Sequence, residues 1–410
     1  MSRSSSVSRL ILLVSCAHAL VHLLELSLSS VEQVISDEFK LSPVQSGMLG
    51  SSLRLPYGLG ALIAGLIADR FGEKRILVLY LFGAAITSVS FLSSSSYSMI
   101  SVQMFSLGAF ASMYHPAGLA LLANETTLDT RARALGTHGV FGSLGIAFAP
   151  LLAGVMLSFR PGDWRGYYVL LGTISAALAV VLFVYLKPAS NPRGIIRQQE
   201  LTDSVRVETN FQLWPYVILI VGTGFAGTIY GGVLHFLPRY LKESAALDQL
   251  EIWTGMTISD EALGNYSAAL ALVCGALGQW TAGRIARPKS LPLQLSCVYA
   301  ANIPLLIWMA YATGAGRLIA ASLWAFVHFM NQPLYNSLLP EFLPRHRRSV
   351  GYGLSNMIGF GIGAVGPPLV GLFDEWFSDY TMSYLAMAGF ALVAAMLPPC
   401  LLSRFRATSR

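Results

Sequence analysis

Apolar runs long enough to cross a bilayer recur along the whole of this 410-residue chain. A helix needs about 20 such residues to span a hydrocarbon core about 30 Å thick. Inside lipid every backbone polar group needs a protein partner, which leaves only helices and closed barrels as spanning structures. The runs are rich in Leu, Ala and Gly, which argues for helices. Hydrophobic residues make up 54% of the chain and charged residues only 12%, against about 25% charged in an ordinary soluble domain. The expected fold class is an all-α polytopic membrane protein.

Twelve transmembrane helices are expected, over 9–31, 43–69, 76–94, 97–123, 134–158, 166–187, 211–240, 262–285, 291–312, 316–339, 350–373 and 381–402. The longest connections, near 188–210 and 241–261, are too short for a soluble domain. An even number of crossings puts both termini on one side. Loops and tails on that side hold 20 of the 27 Lys and Arg residues, and the opposite side holds six. By the positive-inside rule both termini are cytoplasmic, with the chain in the cell inner membrane. The net charge of +6 reflects this bias and implies no nucleic-acid surface. Cys16, Cys274, Cys297 and Cys400 all fall in spans without paired spacing, and read as small apolar packers. LVSC at 13–16 resembles a lipoprotein cleavage box, but the apolar run after Arg9 holds only six residues before Cys16, short for a signal peptide.

A shift of 217 residues brings Gly47 onto Gly264, Gly58 onto Gly275, Pro116 onto Pro333, Pro150 onto Pro367, Gly154 onto Gly371 and His18 onto His235. The chain therefore reads as two pseudo-symmetric six-helix halves, 1–187 and 211–410, joined by a cytoplasmic linker at 188–210. Duplicated halves are frequent in secondary transporters, whose sites lie between the halves near mid-membrane.

The stretch GLIADRFGEKR, residues 65–75, resembles the signature of the major facilitator superfamily at Gly65, Asp69, Arg70, Gly72, Lys74 and Arg75. Glu73 departs from it, and the counterpart GRIARPKS at 283–290 has no acid. MYHPAGLALLA at 113–123, RARALGTHGVFGSLGIAFAPLLAG at 131–154 and LSPVQSG at 41–47 are similar to fosmidomycin-resistance-type exporters. GIAFAPLLAG and GIGAVGPPLVG resemble a glycine-proline motif of proton antiporters, although Met104 stands where many of those exporters carry an arginine. The resemblance implies the major facilitator fold, alternating access, a monomer and a cavity lined by spans one, four, seven and ten. It also implies that Asp69 holds nearby helix ends and arginines such as Arg133 in the outward-facing state, with Arg70 and Arg75 beside it and Gly65 and Gly72 allowing close approach.

His18, His22 and Glu25 are spaced i, i+4, i+7 and share one helical face. A charge at mid-membrane costs about 3 kcal/mol on insertion scales, so such groups face the bundle interior or a wet cavity. Tyr114 and His115 in span four, Tyr230 and His235 in span seven, and His328, Asn331 and Gln332 in span ten are expected there too. His328 and His138 taken singly read as histidines that only hydrogen-bond within the bundle. Glu25 is expected to be the only buried carboxylate, and an ion pair with Arg54, ten residues into span two, is its simplest pairing. His115-Pro116 and Gln332-Pro333 set polar side chains beside carbonyls freed by mid-helix prolines. Histidine titrates near neutral pH, so a proton relay is the leading expectation. A zinc-like cation held by His and Glu one turn apart, with His115 or His235 as further ligands, is the lesser alternative, so no metal is assigned, and no cofactor is expected. GTGFAG at 222–227 and GIGAVG at 361–366 lie in helical spans and support no dinucleotide site, and no enzyme motif is present.

The leading expectation is a proton-coupled exporter of a small organic compound, with protons, substrate and the lipid bilayer as its partners. Uptake of an organic anion through Arg54 is the second, and a non-transporting membrane receptor the third.

Overall fold

A computed structural model describes residues 3–126, 128–185, 211–244, 246–247, 258–344 and 348–402. The side chains at 3–6, 69, 123, 128–133, 348 and 349 also lie outside that description. The expected linker at 188–210 falls outside the described residues.

The first half comprises α1 (Arg3–Glu25 continued by Ser27–Phe39), α2 (Pro43–Phe71), α3 (Glu73–Ser90), α4 (Tyr97–Ala111 and Tyr114–Glu125), α5 (Leu128–Phe159) and α6 (Trp164–Tyr185). The second half comprises α7 (Leu213–Lys242), α8 (Asp260–Ile285), α9 (Leu291–Tyr311), α10 (Ala315–Phe329 and Asn331–Leu338), α11 (Arg348–Gly363 and Gly366–Phe377) and α12 (Thr381–Met396). Among the described residues, nine helical stretches are long and apolar enough to cross a membrane on their own. The other three crossings are α4, α8 and α10, and two of these are broken helices.

The breaks have a common cause. A proline offers no N–H to the carbonyl four residues back and its ring crowds that carbonyl. For Pro116 that residue is Ser112, for Pro333 it is Phe329, and for Pro367 it is Gly363. α4, α10 and α11 are interrupted at those points. Helix α2 starts where LSPVQSG dictates: Ser42 accepts from the Gln45 amide at 3.3 Å, Gln45 reaches back at 2.9 Å, and Pro43 takes the first turn. The first crossing runs past the expected end at residue 31 to Phe39, with only a kink at Leu26. There the backbone ladder stays nearly whole, through Leu26 N–H to the His22 carbonyl at 3.1 Å and Ser30 N–H to Leu26 at 3.2 Å.

One core cluster draws only on the first half, from Val14 to Leu182, apart from Phe360 at its edge. The halves meet along α2–α11 and α5–α8 through small residues that bring backbones close. A Cβ on Gly47 would meet the backbone of Pro367 at 2.5 Å, and Gly371 is packed as closely on Pro43. Gly154 sits against Tyr266 in the same way. Ile63, Leu66, Ile86, Val102 and Phe159 are more than half exposed on the outer faces, as a lipid-facing surface requires.

Candidate functional site

The α1 stripe does turn inward, and it meets charge there. Arg54 of α2 is 3% exposed, and its Nη1 donates to Glu25 Oε1 at 3.3 Å. His22 Nδ1 donates to the other carboxylate oxygen at 2.8 Å, so Glu25 is held from two sides. Nη2 of Arg54 is buried with no hydrogen-bond partner among the described residues. From the second half Tyr230 faces both groups, its ring centre 5.2 Å from the guanidinium carbon.

The chain of polar contacts continues from His22 to His18, whose Nε2 atoms are 3.2 Å apart. His18 Nδ1 lies 2.7 Å from the backbone carbonyl of His138; a carbonyl only accepts, so this nitrogen carries the proton. The His18 and His138 rings stack with centroids 3.7 Å apart. Tyr114 donates to the Val14 carbonyl at 2.6 Å, so His138 Nε2 is the donor in its 2.9 Å contact with the Tyr114 hydroxyl. His115 contacts Tyr57 Oη through Nε2 at 2.9 Å. His18, His22, Glu25, Arg54, Tyr114, His115 and Tyr230 thus form one polar centre. His138, expected as a bystander, belongs to it, and so does Tyr57.

Of the four other expected members, His328 stacks beside Tyr230 with ring centroids 6.3 Å apart, and His235, Asn331 and Gln332 lie elsewhere. His235 is buried beside Ser46, its Nε2 3.2 Å from the hydroxyl. Asn331 donates to the His328 carbonyl at 2.7 Å, while His328 bonds Asn302 at 3.1 Å and stacks on Trp324. Gln332 accepts from Gln279 of α8 at 2.5 Å, and Gln279 is in turn hydrogen-bonded to Ser143 of α5, a polar thread from one half to the other.

Glu25 is not the only buried carboxylate. Glu32, also 3% exposed, pairs with Arg239 of α7 at 3.0 Å, accepts from Ser36 at 2.9 Å and is hydrogen-bonded to Ser46. The expectation failed because the first span was ended one residue early. One more step of seven from Glu25 reaches Glu32 on the same face, and that continuation was the available signal.

In the 65–75 stretch, Gly72 has φ +89° and joins the end of α2 to the start of α3, a conformation glycine adopts freely. Pro116 is the nearest neighbour of Gly65 across to α4. Arg70 and Arg75 are exposed, Arg70 lying over the Phe71 ring at 5.5 Å. Glu73, the departure from the signature, accepts from Asn124 of α4 at 2.8 Å. The side chains of Asp69 and Arg133 lie outside the described residues. Pro150 stands inside an unbroken α5, and Pro367 packs against Gly47.

Two six-helix halves around a buried, ionisable centre are the build of a membrane transporter. A model of the Major Facilitator Superfamily matches residues 14–367, and the chain belongs to that family. It is 23% identical to a probable sulfoacetate transporter of Cupriavidus necator, covering 97% of this chain and 94% of that one. It is also 23% identical to a cis,cis-muconate transport protein of Acinetobacter baylyi, covering 92% and 88%. A bacterial homolog of the human lysosomal transporter Spinster shares the fold, with a TM-score of 0.74 at 16% identity over 98% of each chain.

Proposed function

We propose that this transporter moves a small organic anion, with Arg54 as its charge partner and the Glu25–His22–His18 chain carrying a coupled proton. The observation that carries the reading is the Arg54 guanidinium: buried, bonded to Glu25, and with Nη2 unpartnered among the described residues. A guanidinium presents a planar fork that matches a carboxylate or sulfonate, so a substrate anion fills what the protein leaves open. The relatives described as carrying sulfoacetate and cis,cis-muconate support this class, since both compounds are anions at neutral pH.

Glu25 competes with the substrate for Arg54. Protonation of Glu25 releases the guanidinium, so proton and anion bind together, and a ligand that prefers one state shifts the population toward it. Joint binding favours uptake over export. Export remains the second reading, supported by the exporter-like segments at 113–123 and 131–154. The halves 1–187 and 211–410 move as units about the linker 188–210, with both termini and the 65–75 signature cytoplasmic and the monomer as the working unit. Asp69, Arg70, Arg75 and Arg133 then close the cytoplasmic side in the outward-facing state.

Thermal unfolding of the purified protein tests the substrate class. Carboxylates and sulfonates are expected to raise the midpoint, as a ligand that binds only the folded state must. Neutral and cationic analogues are expected to leave it, and Arg54→Gln to lose the anion effect. Stabilisation by cations, or an anion effect retained in Arg54→Gln, overturns the proposal.

A further inference from the structure

We propose that His18, His22 and His115 form a binding site for one divalent transition ion of zinc-like chemistry. A ring nitrogen of each lies within 4.8 Å of the other two. Imidazole nitrogen suits zinc, copper, nickel or iron, whereas magnesium and calcium prefer oxygen.

The outer side of each ring is what separates this cluster from a chance meeting of histidines. Metal-bound histidines almost always anchor their second nitrogen on a carboxylate, a carbonyl or another oxygen, which fixes the tautomer and aims the free lone pair. Here His22 Nδ1 is on the Glu25 carboxylate at 2.8 Å, and His18 Nδ1 is on the His138 carbonyl at 2.7 Å. His115 Nε2 is on Tyr57 Oη at 2.9 Å, which leaves Nδ1 as its unoccupied nitrogen.

Counting protons sharpens the point. His18 Nδ1 and His22 Nδ1 both face acceptors and hold their protons, so in the neutral rings both Nε2 atoms carry lone pairs. Those two atoms are 3.2 Å apart, so either a shared proton or a metal ion must stand between the two lone pairs, and the two occupants exclude each other. A tetrahedral zinc with Zn–N of about 2.0–2.1 Å sets its ligand nitrogens roughly 3.3 Å apart, close to what the pair already shows. Only His115, less buried than the other two, has to draw in. Three protein ligands leave a fourth position for water or a substrate oxygen, the pattern of zinc sites that keep an open position. Glu25 lies between the triad and Arg54 and offsets part of the added positive charge, leaving the rest to an anion at the open position.

The test reads metal content, and so fails or succeeds separately from the transport reading. The full chain is purified without a polyhistidine tag, stripped with chelator, equilibrated with micromolar Zn2+, desalted and analysed by elemental mass spectrometry. About one zinc per chain is expected, and His18→Asn and His115→Asn are expected to weaken binding by at least about tenfold to a hundredfold. His328→Asn, a buried histidine away from the triad, is expected to keep it. Absence of retained zinc in the wild type, or equal retention in both triad variants, overturns the proposal. Should neither variant fold, Co2+ added to the wild type decides. Ligand-field bands of a tetrahedral, nitrogen-bound ion support the site, and the spectrum of the hydrated ion refutes it.

Discussion

Arg54 concentrates the chemistry of the centre because a guanidinium keeps its charge and cannot be neutralised by losing a proton. Glu25 supplies one partner and Tyr230 a ring face, and Nη2 has neither. Arg54→Lys retains the charge but removes the fork. It is expected to raise the KM for an anionic substrate roughly tenfold or more, the loss of a charge-assisted hydrogen bond being worth about 1.5–3 kcal/mol. Flux assays at several substrate concentrations check this, and an unchanged KM removes Arg54 from substrate binding. His22 and His18 are different, since their contacts run within the first half. That the stripe of His18, His22 and Glu25 faces inward was legible from its spacing alone. That His138 stacks on His18 was not, because 120 residues separate them and only the packing of α5 on α1 joins them.

Among the elements, the broken helices lie at Pro116, Pro333 and Pro367, but the missing N–H alone did not tell these prolines from Pro56, Pro150, Pro238 and Pro304, which stand inside unbroken helices. The extent of α1 was not legible either, because Glu32 looks like the end of an apolar run until Arg239 is seen beside it. Which glycines matter was only half legible: the repeat marks Gly47 and Gly264, but not their neighbours. Gly47→Ala places its Cβ 2.5 Å from the Pro367 carbonyl and forces α2 from α11, whereas at Gly283 nothing among the described residues lies within 4 Å. The first change is expected to destabilise by about 1–3 kcal/mol, as overpacking does. Gly283→Ala is expected to be neutral or slightly stabilising, because alanine favours helix. Thermal unfolding of the two variants side by side checks the contrast, and equal midpoints refute the packing described for α2 and α11.

For the whole molecule, the question is how the halves separate and rejoin. Glu32 and Arg239 pair across them, both held in a largely buried setting. Removing one partner of a buried pair strands the other charge and costs about 3–5 kcal/mol, while replacing both is often nearly neutral. Glu32→Gln and Arg239→Met are each expected to lower stability by about that much, and the double variant to recover most of it. Additive losses in this cycle contradict a direct pair. Ser158 and Tyr266, whose hydroxyls are 3.0 Å apart, offer a way to hold the halves together near the same region. A bifunctional methanethiosulfonate, which forms a disulfide with each of Ser158→Cys and Tyr266→Cys as methanesulfinate leaves, is expected, with the native cysteines replaced, to stop transport and to restore it on reduction. Transport through the locked form refutes alternating access between these halves.

Coupling of anion to proton is tested most directly in proteoliposomes carrying the wild type or Glu25→Gln, with internal pH followed after an organic anion is added outside. Inward proton movement that depends on the anion, and that is lost in Glu25→Gln while the protein stays folded, is the expected result. Outward proton movement with the anion, or a pH signal unchanged in Glu25→Gln, contradicts the proposed mechanism.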